Sequence, residues 1–334
     1  VYNREIEGLI EHGQIEEAIA HCKNILKQLP KHIDTYRLLG KAFLESQRYT
    51  EAVDILQRVL SVYPDDFVSQ LGMSIIREDE GNLDAAIWHM ERAYEVQPFN
   101  RAVQDELRRL YGRRDGAEPP KIRLNRGSLV RMYARGELYP QAIAEARAAL
   151  AEDPQRTDLL VLLARMYYLS GQKVEAAEIA STLISKLPNC YEANRILQEI
   201  LPSTSRAEEA KSYQQRVYAL SPYMAYITPN APTVEQVPDQ SVMIEKVDWQ
   251  PGAQDQQGPD WARTIGVQWE QKEEEQLPDW LSTLKSKDSA PTAQSEQPAQ
   301  PSQSTPEGET DAIPNWMKTA GWGQSTGVAQ EGPV

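Results

Sequence analysis

Apolar and polar positions nowhere alternate with a sustained period of two, so no sheet is expected. Their pattern marks helix-length segments in pairs. First helices of the pairs are predicted near residues 2–12, 34–46, 66–80, 124–135, 156–170 and 190–201. Second helices are predicted near 15–28, 49–62, 83–96, 139–152, 173–186 and 206–220. Prolines punctuate the pairs. Pro30, Pro64 and Pro98 stand 34 residues apart, and so do Pro154, Pro188 and Pro222. A 34-residue period is the mark of a helix–turn–helix array, in which each pair covers its neighbour and the whole presents a long binding surface. Residues 1–222 are therefore expected to form one elongated array along a continuous hydrophobic seam.

Other residue types keep the same beat. An alanine falls twelve positions before each of these prolines: Ala18, Ala52, Ala86, Ala142, Ala176 and Ala210. A small side chain is needed where the second helix crosses the first at close range. Gly13, Gly81 and Gly171 fall seventeen before the proline, where a left-handed residue ends the first helix. Gly136 is displaced by one, which predicts a turn one residue longer. Gln47 replaces the glycine in the second repeat, whereas Gly40 inside the preceding helix predicts close packing with a neighbour. Phe43, Tyr133 and Tyr167 precede the turn.

These positions resemble the tetratricopeptide repeat family over roughly residues 1–98 and 121–222. The sixth repeat departs from the pattern, with Pro202 and Ser203-Thr204-Ser205 in its inter-helix turn. The resemblance implies an all-α superhelical solenoid of about six helix–turn–helix repeats with one extra helix. It also implies a non-enzymatic protein–protein interaction scaffold or adaptor whose inner helices line a concave peptide groove. The groove candidates are Arg37, Lys41, Leu71, Ile75, Arg131, Val161, Arg165 and Tyr168. Bases mixed with aliphatics suit an extended or helical acidic peptide. One ligand class of the family is disfavoured. The carboxylate clamp of its co-chaperones needs Asn where this chain has Glu7 and Leu38.

Pro98 and Pro154 lie 56 residues apart, 22 more than one repeat. The surplus, residues 99–120, is expected to hold one unpaired helix at about 100–113, stopped by Asp115-Gly116 and Pro119-Pro120. An odd helix predicts either a kink or two three-repeat blocks, 1–98 and 121–222, with a limited hinge. Residues 101–135 carry ten bases and four acids. One reading is a solvated Arg-rich face. The other is an anion-binding patch of Arg101, Arg108, Arg109, Arg113, Arg114 and Arg123, since the planar guanidinium suits carboxylate and phosphate. Its ligand would be an acidic partner, the chain's own acidic tail, or a nucleic acid. The last is disfavoured, because no aromatic platform interleaves the bases and the chain's net charge is −14.

That charge sits mostly in residues 223–334, which hold 17 acids and 6 bases. This stretch is rich in Pro, Gln, Ser and Glu, a composition that predicts disorder. Yet it contains six of the seven tryptophans. Three of them recur in one motif: Pro259-Asp260-Trp261-Ala262-Arg263-Thr264-Ile265, Pro278-Asp279-Trp280-Leu281-Ser282-Thr283-Leu284, and Pro314-Asn315-Trp316-Met317-Lys318-Thr319-Ala320. Pro followed by an acid or amide is favourable first-turn chemistry. Trp261 with Ile265, Trp280 with Leu281 and Leu284, and Trp316 with Met317 would share the face of a short helix that forms on contact with a groove. The motif looks like Pro-Asp-Trp-Leu segments in tails of some bacterial repeat and adaptor proteins, from which no function is carried over. A decayed motif without a role is the plain alternative. Otherwise the tail occupies its own body, or it presents ligands to a second partner.

Nothing catalytic is recognisable. His12, His21, His32 and His89 lack metal-ligand spacing, and no phosphate loop or nucleophile elbow occurs. No catalytic residue, metal or cofactor is expected. Cys22 and Cys190 lie in different repeats, which predicts free thiols and a reducing, cytoplasmic setting. No apolar run reaches the ~20 residues of a membrane span, and Val1–Glu5 shows no signal-peptide pattern and starts inside a repeat.

Overall fold

The computed structural model describes residues 2–229, 231–246 and 249. Among them are thirteen α-helices and no strand. Six antiparallel pairs are α1 Tyr2–Glu11 with α2 Ile15–Gln28, α3 Ile33–Glu45 with α4 Tyr49–Val62, α5 Phe67–Asp79 with α6 Leu83–Val96, α8 Arg126–Arg135 with α9 Tyr139–Glu152, α10 Thr157–Leu169 with α11 Lys173–Lys186, and α12 Tyr191–Ile200 with α13 Ala207–Leu220. The unpaired helix is α7, Arg101–Asp115. Asn100 caps its start through the Ala102 and Val103 N–H groups, and Gly116 ends it with φ of 81°.

All six periodic alanines are buried. The close approaches are visible at two glycines. A Cβ at Gly40 would come within 2.8 Å of Leu56 Cδ2, and one at Gly72 within 2.5 Å of Leu44 Cδ1. The inter-helix turns at Gly13, Gly81 and Gly171 take positive φ. The fourth turn corrects the sequence expectation. It is no longer than the others, because the left-handed position falls on Glu137 (φ 57°), while Gly136 keeps an ordinary φ of −83°. Gln47 fills the same position in the second repeat with φ of 56°.

The seam is not continuous. Buried apolar residues of α1–α5 form one cluster, those of α5–α7 a second, and those of α8–α13 a third. Helices α7 and α8 both pack against α6. A fourth cluster joins distant parts of the array. Ile33, Val59 and Val62 meet Leu220, flanked by Tyr36, Tyr63 and Tyr191. The Tyr63 and Tyr191 rings lie 5.4 Å apart, and the buried His32 ring lies 5.9 Å from Tyr223. The array thus curls until its second repeat touches its sixth.

Candidate functional site

The inner helices carry two groups of exposed charge. On α3, Arg37 is 42% exposed and reaches Asp66 at 2.5 Å and Asp34 at 3.8 Å. One turn on, Lys41 approaches Glu7 of α1 at 4.0 Å. Glu45, a further turn along, is partly buried. Desolvation pushes its carboxyl up to about 7 against the pull of Lys41. On α10, Arg165 is 54% exposed and only 3.9 Å from Glu192 of α12. Tyr168 donates its hydroxyl to Glu199, and Arg195 of α12 stacks 5.8 Å from its ring. Arg195 also bonds Glu192 at 2.8 Å and Glu199 at 3.1 Å.

The other groove candidates lie deeper. Leu71 and Val161 are buried, and Ile75 packs against the first apolar cluster. Arg131 is 6% exposed and belongs to an ion cluster between α6, α8 and the start of α10. Its Nη2 donates to Asp158 Oδ2 at 3.0 Å and its Nη1 to Glu95 Oε2 at 3.4 Å. Arg156 donates Nε to Asp158 Oδ1 at 2.8 Å and also grips Glu95. Asn125 adds a donor to Glu95 Oε1 at 2.8 Å. Gly127 leaves the room that the Glu95 carboxylate fills, since a Cβ there would collide with it. Burial alone would raise the Asp158 carboxyl. The hydrogen bond from Arg156 and the two guanidinium charges overcome this and hold it well below the usual carboxylate range. Glu95, Arg156 and Asp158 were not singled out by sequence reasoning. Their only sequence trace is a Gly in the first turn of a helix opposite an acid near the end of another.

The basic insert is largely paired. Arg109 bonds Glu106 and Glu78, and Arg113 bonds Glu78 of α5. Arg108 donates to the Pro119 carbonyl at 2.8 Å and approaches Asp105 and Glu118. Arg114 pairs with Asp115 and lies 3.9 Å from Asp84. The count within residues 101–135 missed Glu78 and Asp84, which come from the previous repeat. Arg101 and Arg123 have no such partner among the described residues.

The histidines serve locally. His21 bonds Tyr2, His32 bonds Thr35, His89 bonds Gln70, and His12 reaches the Gly8 carbonyl. Among the described residues no group of His, Cys, Asp and Glu is placed to hold a metal. Cys22 and Cys190 are free and buried, and burial pushes the thiols up to about 12 and about 11. None of the described helices is long and apolar enough to cross a membrane. Trp261, Ile265, Trp280, Leu281, Leu284, Trp316 and Met317 lie outside the described residues.

Residues 244–246 lie against the first repeat. The Gln28 side chain accepts the Glu245 N–H at 3.0 Å and donates to the Glu245 carbonyl at 3.1 Å, and Asn24 donates to that carbonyl at 2.8 Å. Ile244 packs against the first apolar cluster. Lys246 meets Glu5 at 2.5 Å and the Tyr2 ring at 5.2 Å.

The tetratricopeptide repeat family model matches residues 9–71 and 137–200. The chain is 34% identical over 82 residues to protein y4yS of Sinorhizobium fredii, covering 25% of this chain and 45% of that protein. It is 27% identical over 97 residues to Superkiller protein 3 of Schizosaccharomyces pombe, covering 29% of this chain and 7% of that protein. The matched stretches thus span less than half the length of either relative. Among solved structures, MamA of AMB-1 is similar with 20% identity and a TM-score of 0.24, over 55% of this chain and 96% of MamA. PilF of Pseudomonas aeruginosa is similar with 13% identity and a TM-score of 0.28, over 66% and 90%.

Proposed function

We propose that this chain, which carries tetratricopeptide repeats at residues 9–71 and 137–200, is a scaffold whose inner helices bind an acidic peptide. Repeats of this family generally mediate protein–protein interaction. The observation that carries the reading is the surface between α10 and α12. Arg165 is more than half exposed there, and its Glu192 partner is at the outer limit of an ion pair. Such a pair contributes little to stability and is easily exchanged for a ligand carboxylate. Tyr168 beside it offers a ring, while Arg195 is held by Glu192 and Glu199. Arg37 on α3 supplies a second base. The groove is narrower than the sequence list, because Leu71, Val161 and Arg131 are committed to packing and to the ion cluster.

The tail motifs suit such a surface, since Asp260 and Asp279 directly precede a tryptophan. Arg can then meet the acid while the indole covers the tyrosine and the alkyl stems. Binding of anions or nucleic acid through residues 101–135 is weaker as a reading, because Arg108, Arg109, Arg113 and Arg114, four of the six arginines of the patch, are paired within the body.

The test is fluorescence polarisation of a labelled peptide spanning Pro278–Leu284, titrated with the full chain. Saturable binding is expected. Arg165→Glu should weaken it by about fivefold to tenfold, the worth of one partly exposed charge pair and its reversal. Binding that ignores both Arg165→Glu and Arg37→Glu would overturn the reading.

A further inference from the structure

The contact of residues 244–246 has the form of a recognition site. A main-chain segment laid on a protein must find partners for its N–H and C=O groups. The Gln28 carboxamide provides both, one acceptor and one donor, and so treats Glu245 as a neighbouring strand would. Asn24, four residues earlier on the same face of α2, adds a second donor to the same carbonyl. The flanking side chains differ in what they meet. Ile244 is half-buried against the body and Lys246, though exposed, reaches back to Glu5 and Tyr2, whereas Met243 is 83% exposed and the Glu245 side chain faces solvent. Ile244 enters the apolar cluster, and the Lys246 ammonium is held by Glu5 and the face of Tyr2. Main-chain bonds give the hold, and the residues either side of Glu245 give the selectivity.

We propose that the flank of α1 and α2 is a peptide-docking site that reads main chain through Asn24 and Gln28. It selects an apolar residue two before a lysine, and its resident ligand is Ile244–Lys246 of the same chain. The segment reaches this flank from beyond the sixth repeat, 217 residues along the chain from Gln28. The site lies on an outer helix, apart from the Arg165 surface, and stands whether or not that surface binds a peptide.

The experiment uses the full chain and two readouts. The first is hydrogen exchange at the Glu245 amide. The second is polarisation of a labelled peptide with the sequence Ser241–Trp249. In the unmodified chain the amide should be protected and the peptide should bind weakly, because the site is filled. Lys246→Glu should speed exchange by about tenfold and let the added peptide bind, as loss of an ion pair opens the contact. Adding Glu5→Lys to it should restore protection, which a general loosening of the fold would not do. Adding Gln28→Ala to Lys246→Glu should abolish peptide binding while helical content is unchanged. Equal, unprotected exchange at Glu245 in the unmodified chain and the variants, or peptide binding that survives Gln28→Ala, would overturn the proposal.

Discussion

Gln47 and Glu137 occupy a left-handed position that three other repeats give to glycine. A side chain there costs on the order of 1 kcal/mol. Gln47→Gly and Glu137→Gly should therefore each raise unfolding free energy by roughly 0.5–1 kcal/mol, read by urea denaturation. The net gain is smaller than the strain relieved, since glycine also loosens the unfolded chain. A second residue-scale prediction concerns Glu45. Its folded carboxyl lies at about 7, above its value of 4.5 when free, because burial disfavours the charge. The folded state thus holds the proton more tightly, and stability falls as pH rises from about 4.5 through 7. Glu45→Gln should flatten this dependence, with thermal midpoints close to the parent at pH 5 and higher at pH 8. The glycine period was legible because it is written in single letters. Its exceptions at 47 and 137 were half legible: the missing glycine showed, but not that a glutamate would take the strained angle.

Among the elements, α7 and the ion cluster between α6, α8 and α10 interrupt the run of pairs. The helix itself was legible from its caps and from the surplus of 22 residues, which places it to within two positions of Arg101–Asp115. What it does to the seam was not. Two helices dock on α6, and the gap this leaves is closed by Glu95, Arg131, Arg156 and Asp158. Charge pairs made across 27 and 61 residues leave no periodic trace, so Arg131 reads as an inner-groove residue until its neighbours are placed. Removing one member strands the others in a dry site. Arg156→Ala should cost about 3–5 kcal/mol, measured by chemical denaturation, and should loosen residues 92–131 in hydrogen exchange. Asp158 carries the matching pH effect. Its folded carboxyl is held below the unfolded value of 3.8, so its contribution is complete above that pH and is lost as pH falls below it. An Asp158→Asn chain should show a shallower loss of stability between about pH 4 and pH 2.

At the scale of the whole body, the repeat class and helix order were legible, while the closure was not. Leu220, Tyr63 and Tyr191 look like ordinary helix-end residues, and a contact between the second repeat and the sixth leaves no periodic trace in the sequence. Leu220→Ala should cost about 2–4 kcal/mol if the contact is packed like a core, and Leu220→Asp should increase the radius of gyration in solution scattering. A parent and an Asp variant of equal size would show that the curl does not depend on this contact. The closure also sets how such a chain can change over generations. An open array can gain or lose a unit by duplication or deletion, as a string of beads does, because each unit touches only the next. Here a unit added between the second repeat and the sixth would carry Leu220 away from Ile33, Val59 and Val62 and leave both sides bare. The number of repeats is therefore locked, and related chains that keep these apolar residues should keep the same count.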